Sequence, residues 1–324
     1  RPVEISDGNR LRLHLPADDP KSLMRSMMKK ILRIQRAPTP HWVGNGFHVN
    51  SLFFYGQDAE AFSPFLMLDY GAPRIFAPSS EPRGVGQHPH RGFETVTVAY
   101  QGEIEHHDSE GNRGTIGPGD VQWMTAASGI IHEEWLSPEF NARGGTLEMA
   151  QLWVNLPARD KMAPPAYQGI LKSQIPSVVA TGGARVQVIA GEFAGSADGA
   201  VTSGPARTFS PVNVWDVQLA AGQVIDLDLH AGYTTLFAVL KGNVNVNATQ
   251  EASSPSLVVL DREGTAARLE AIGGDATVLV LHGEPLNEPV AGYGPFVMNT
   301  REEIMQAMQD FQRGTFIRQK AASA

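Results

Sequence analysis

Short runs rich in Val, Ile, Thr and Phe recur along the chain between turns built on Gly and Pro: Thr95–Tyr100, Val186–Ile189, Val212–Leu219 and Thr235–Leu240. Side chains of that kind pack well on a pleated surface, and 33 glycines and 22 prolines in 324 residues leave few windows long enough for a helix. The expectation is an all-β chain. One segment departs from it near the C-terminus, where Thr300 and Glu303 make a capping-box pattern and Ile304, Ala307, Met308 and Phe311 form one apolar stripe before Gly314. That stripe predicts an amphipathic helix docked on a sheet.

A length of 324 residues suits two domains. The breaker-rich stretch from Ala158 to Pro176, with Pro164 and Pro165, divides two β-rich halves of similar size. A faint internal echo sets Tyr100-Gln101-Gly102 over Leu240-Lys241-Gly242. The expected layout is two β-sandwich or jelly-roll barrels in tandem, 28–165 and 166–298, followed by the helix and tail, 299–324. Residues 1–27 read as a leader or an extension outside the folded domains. Within Lys21 to Arg36, six basic residues are interspersed with apolar ones, a pattern that suits a basic amphipathic helix. The alternation of Lys30 to Arg36 favours a first strand instead.

Composition removes several classes of function. The chain has no cysteine, which excludes disulfides, thiolate catalysis, Cys-ligated zinc and iron–sulfur clusters, so any metal must be held by nitrogen and oxygen. A net charge of −8 gives no global attraction to nucleic acid or anionic lipid, and the longest apolar stretches, such as Ala276–Leu281, are strand-sized. The expectation is a soluble, cytoplasmic protein that binds neither directly.

Five of the ten histidines fall between residues 88 and 132. In His88-Pro89-His90 the two imidazoles are two residues apart, which on a strand puts both on one face and within reach of one ion. His132-Glu133-Glu134 follows the same period, and Gly117-Pro118-Gly119-Asp120 is a turn that lets the two strand pairs converge. Three imidazoles and a carboxylate would suit iron, manganese, nickel, copper or zinc. The carboxylate is either Glu134 or Glu94, which follows His90 by four residues; periodicity does not choose. His14, His41, His48, His106 and His107 read as ordinary core or surface histidines.

These residues carry a resemblance. His88-Pro89-His90-Arg91-Gly92-Phe93-Glu94-Thr95, then Gly117 to Ala126, then Gly129-Ile130-Ile131-His132-Glu133-Glu134 closely resemble the pirin family of bicupins, as do Pro64 to Asp69, Gln151 to Pro157, Ile189-Ala190-Gly191 and Gly294 to Thr300. The likeness runs from about residue 28 to 317. It implies two cupin barrels with one divalent metal ion per chain, commonly Fe(II), in the first. By position, the implied ligands are His88, His90, His132 and Glu134, with Glu94 behind them. Ala127 and Ser128 stand where many relatives have Gly and Arg. In the second half His88 and His90 map onto Asp228 and His230, but Ala267 and Leu269 replace His132 and Glu134, so the C-terminal barrel is expected to lack metal.

Two functions follow from the resemblance. One is a metal-dependent dioxygenase cleaving a flavonol such as quercetin, with Glu134 as ligand and candidate base, and Phe93, Trp123 and Met124 as candidates to clasp a flat ring. The other is an iron-dependent regulatory protein whose oxidation state alters contacts with a transcription factor or metabolic enzyme. A closed structural metal site is a third. The dioxygenase is favoured, because a sibling barrel without the ligand set implies that the fold does not need the ion.

Overall fold

The computed structural model of the protein describes residues 27–317. The first 26 residues, with the expected leader and the Lys21 end of the basic stretch, lie outside them.

Two β-barrels carry the chain. In the first, a seven-stranded sheet runs in the spatial order Ala166–Ile170, Val121–Thr125, Phe93–Gln101, Gly145–Asn155, Phe65–Phe76, Phe47–Phe54 and His41–Val43. A four-stranded sheet lies against it: Gly84–His90, Ile130–Leu136, Ile104–Asp108 and Arg113–Ile116. Every strand pair between residues 41 and 170 is antiparallel, so each strand sends alternate side chains into the space between the sheets. Phe47, Val49, Ala99, Ile104, Ile116 and Leu136 fill one end of that space. The other end holds polar side chains.

The second barrel is built on a nine-stranded sheet, and its interior is apolar, with Ala267 and Leu269 among Val217, Leu227, Val244 and Val278. The two barrels meet through the largest core, in which Val96, Val98, Trp123 and Leu152 of the first pack on Val214, Leu236, Leu279 and Leu281 of the second. Tyr100 spans this core and donates to Asp216 at 2.7 Å. Complete burial pushes the Asp216 carboxyl above its ordinary value, against the hydrogen bonds from Tyr100 and Gln218.

Chain order and barrel membership part company at two places. The strand Ile31–Arg36 forms, as the alternation predicts, but it pairs with Ser256–Leu260 in the C-terminal sheet. Ala166–Ile170, placed by the sequence boundary at the head of the second half, pairs with Val121–Thr125 in the first. Each half thus lends an edge strand to the other's side of the division, a pairing that local composition does not encode.

The C-terminal helix spans Arg301–Gln312. Thr300 Oγ1 accepts from the Glu303 N–H at 3.2 Å, and Glu303 Oε2 accepts from the Thr300 N–H at 2.9 Å, which completes the expected capping box. Ile304 and Ala307 are buried against Phe296, Met298 and Phe316, with Ile131 and Met308 packed on the same cluster. The helix therefore lies on the hairpin Ala291–Tyr293 and Phe296–Met298 and reaches the first barrel, while Phe311 stays 43% exposed at the edge of the stripe. No helix among the described residues is long and apolar enough to cross a membrane.

Candidate metal centre

Antiparallel pairing of Gly84–His90 with Ile130–Leu136 sets His132 directly opposite His88 and Ile130 opposite His90. A bulge between His132 and Glu134 then shifts the register, so that Glu134 faces Val85. The period-2 spacing does the rest. Ring centroids lie 4.3 Å apart for His88 and His132, and 4.8 Å apart both for His88 and His90 and for His90 and His132. One ring nitrogen from each of these three imidazoles falls within 4.8 Å of the others, the reach of one ion.

Hydrogen bonds orient the rings. His88 Nδ1 lies 2.8 Å from the Gly86 carbonyl oxygen and His90 Nδ1 3.4 Å from that of Pro295, and a carbonyl can only accept, so both rings carry their proton on Nδ1. His132 Nε2 is buried with no hydrogen-bond partner. A buried imidazole nitrogen without a partner, ringed by two other imidazoles, is a place that could hold an ion. Burial first, and neighbouring imidazoles second, hold His90 and His132 well below the ordinary histidine value, so both are neutral and able to ligate. The donor set thus fits a first-row divalent cation.

Glu134, 7% exposed, joins a second group of donors with His132 and His106. Its Oε1 accepts from Gln122 Nε2 at 2.8 Å and from Thr97 Oγ1 at 3.3 Å. His106, which the sequence reading left among ordinary histidines, is fully buried here. It sits on the neighbouring strand Ile104–Asp108, paired with Glu134 across the ladder. The signal available for it was period 2 again: His106 and Asp108 alternate as His132 and Glu134 do, on the strand that pairs with theirs.

Pairing also sorts the pocket candidates. Thr95 lies opposite Met124 and Trp153, and Thr97 opposite Gln122 and Gln151, all on the face that holds Glu134. Glu94 lies opposite Thr125 and Val96 opposite Trp123, on the other face, toward the second barrel. Met124 and Phe93 are thus on the metal side, with the Phe93 ring 5.1 Å from His90 and 4.3 Å from Trp153. Trp123 is in the core between the barrels. Trp153, 5.3 Å from His90, was missed by the sequence reading, as were Thr97, Gln122 and Gln151.

Glu94 shares no face with His88 and His90, because the strand does not run on through it. The chain bends at Gly92, where φ is +93° and a Cβ would collide with the Val297 carbonyl oxygen, and a new strand begins at Phe93. The alternation restarts out of phase. Thr125 Oγ1 donates to Glu94 at 2.7 Å, and burial pushes the Glu94 carboxyl up to about 7. Ala127 adopts φ +42°, a conformation glycine would take without strain, and the Ser128 carbonyl accepts from Arg91 Nε at 2.7 Å.

The second half offers a contrast. His282 Nε2 accepts from the His230 N–H at 3.0 Å, and its Nδ1 lies 3.0 Å from Thr235 Oγ1, so both ring nitrogens are engaged within the protein. Both groups of three possible ligands among the described residues lie between His88 and Glu134.

Comparison with known proteins agrees with this geometry. The family model described as Pirin matches residues 46–154, and that described as Pirin C-terminal cupin domain matches residues 214–317. A Pseudomonas aeruginosa protein provisionally named a quercetin 2,3-dioxygenase is 54% identical over 292 residues, covering 90% of this chain and 99% of the relative. A pirin-like protein of Caulobacter vibrioides is 43% identical over 260 residues, 80% of this chain and 89% of the relative. Among solved structures, a quercetin 2,3-dioxygenase from Acinetobacter baumannii superposes with a TM-score of 0.85 at 52% identity, covering 89% of this chain and 98% of its own. With both barrels matched and the histidine cluster in the first, the chain belongs to the pirin family and is a bicupin.

Proposed function

We propose that the protein is a metal-dependent oxygenase of the quercetin 2,3-dioxygenase type, with His88, His90, His132 and Glu134 holding one divalent ion, most simply Fe(II). The observation that carries this reading is the unpartnered Nε2 of His132 among His88 and His90, in a chain 52% identical to a structure named for that activity. When bound, such an ion would act as a Lewis acid that acidifies and orients a flavonol's hydroxyl and neighbouring carbonyl.

The chain's own residues supply the rest. Gln122 and Thr97 hold Glu134 Oε1, which leaves Oε2 to face the ion or take the proton of the substrate hydroxyl. Phe93 and Trp153 form an aromatic wall beside His90, suited to a flat ring. Thr95 Oγ1, buried on the same face without a partner, is available to a substrate oxygen. Burial of His90, His132 and Glu134 keeps water from the reacting atoms.

The test is anaerobic loading with Fe(II), addition of quercetin, and then admission of oxygen. Expected are a shift of the flavonol absorption before oxygen enters, oxygen consumption afterwards, and loss of both on chelation. If metal-loaded protein shows neither with several flavonols, the regulatory reading, in which the ion tunes contacts with a protein partner, replaces this one.

A further inference from the structure

Two of the three clustered imidazoles have their tautomer set by a backbone carbonyl, Gly86 for His88 and Pro295 for His90. His132 has no carbonyl on its Nδ1. It faces a second imidazole instead, with His106 Nδ1 at 3.4 Å, and an imidazole nitrogen can either donate or accept. What decides is the far side of His106, where Nε2 lies 3.0 Å from Asp108 Oδ2.

Asp108 is itself constrained. Its Oδ1 accepts from the backbone N–H groups of Glu110 at 2.9 Å and Asn112 at 3.0 Å, and Asn112 Nδ2 lies 2.9 Å from Oδ2. Surrounded by donors, the carboxylate can only accept, so a neutral His106 must carry its one proton on Nε2. His106 Nδ1 is then an acceptor, His132 must carry its proton on Nδ1, and His132 Nε2 is left as a bare lone pair. That is the buried nitrogen found without a partner. The His106 ring is held in plane by stacking on Tyr167, with centroids 4.8 Å apart and planes 19° apart.

We propose that His106 and Asp108 are positioning residues for the metal centre, a relay that locks His132 into the tautomer presenting Nε2 to the ion. The proposal rests on the metal-binding part of the reading above and not on flavonol cleavage. It makes opposite demands from a role for His106 as a ligand in its own right: the relay needs only an acceptor where Nδ1 stands, which an asparagine side-chain oxygen provides, whereas a ligand needs the nitrogen.

The experiment uses the full chain, stripped with chelator, and Co(II) as probe. Long-range proton–nitrogen spectra of the metal-free wild type should show the His132 proton on Nδ1. By calorimetric titration, His106→Phe and Asp108→Asn should weaken Co(II) binding by about 10–100-fold, the usual consequence of losing a group that orients a ligand. Melting of the metal-free variants should stay close to wild type, and His106→Asn should recover most of the affinity. A wild-type His132 proton on Nε2, or unaltered Co(II) affinity in Asp108→Asn, overturns the relay. His106→Asn binding as poorly as His106→Phe overturns it in favour of direct ligation. Should His106→Phe fail to fold, the wild-type spectrum and Asp108→Asn still decide. A wild type that binds no Co(II) removes the metal reading itself, a result distinct from variants that bind like wild type.

Discussion

Two buried carboxylates compete for importance in the first barrel, and their surroundings separate them. Glu134 is held by Gln122 and Thr97 beside His132, whereas Glu94 meets Thr125 on the opposite face of the sheet. Glu134→Ala should therefore sharply lower metal content after loading, and Glu94→Ala should leave it near wild type, as read by elemental analysis. Equal losses would mean the wrong carboxylate is assigned to the ion. Glu94 has a different signature. Its carboxyl is raised by burial from 4.5 to about 7. A raised value favours the protonated folded state, so the site is without cost below about pH 4.5, and destabilisation accumulates between about pH 4.5 and 7, where the unfolded chain ionises and the buried carboxyl does not. The size is on the order of 3 kcal/mol when deprotonation is complete. Urea melts at pH 5 and pH 8.5 should show Glu94→Gln losing less stability over that interval than wild type does.

Among the elements, the C-terminal helix and its hairpin do more than cover a sheet. Arg91, next to the candidate ligand His90 and 3% exposed, pairs with Asp310 of the helix at 2.7 Å and donates to the Phe316 carbonyl at 3.2 Å, with its guanidinium 4.4 Å from the Phe316 ring centroid. The Val297 N–H donates to the Arg91 carbonyl at 3.0 Å, and Lys161 Nζ donates to the carbonyls of Gly92 and Val297 at 2.8 and 3.0 Å. The helix thus ties the end of the second half onto the strand that carries His88 and His90. Asp310→Ala removes one charged partner but leaves Arg91 its two carbonyls, so a loss of about 1.5–3 kcal/mol is expected from thermal or urea unfolding. Wild-type stability in that variant would show that the pair is not a tie.

At the level of the two barrels, the same architecture is used twice with different interiors. The first places histidines and a glutamate where the second places Ala267 and Leu269 in an apolar core. The two donor groups of the first barrel share His132, whose Nδ1 faces His106, so its unpartnered Nε2 can serve one ion only. Loading to saturation should therefore give one ion per chain, abolished by His88→Ala combined with His132→Ala. Two ions per chain, or retention in the double variant, would contradict a single centre.

Much of this was legible beforehand, and the residues show where legibility stopped. Alternation belongs to the strand itself, so His88 with His90 and His106 with Asp108 share faces wherever the strand goes. Absence of cysteine likewise removes thiolate ligands in any fold. The capping box at Thr300 is equally local, built from groups three residues apart. What alternation does not state is which face is inward. Trp123 and Met124 look alike as ring-clasping candidates, and only cross-strand pairing sends Met124 to the metal side and Trp123 to the core between barrels. Nor does periodicity survive a bend: at Gly92 the phase restarts, which removes Glu94 from the histidine face. The meeting of His88 with His132, the relay through His106 to Asp108, and the pairing of Ile31–Arg36 with a strand more than two hundred residues away all depend on register between distant segments. Local stereochemistry dictates the pattern along each strand; burial of the assembled sheets selects which patterns face one another.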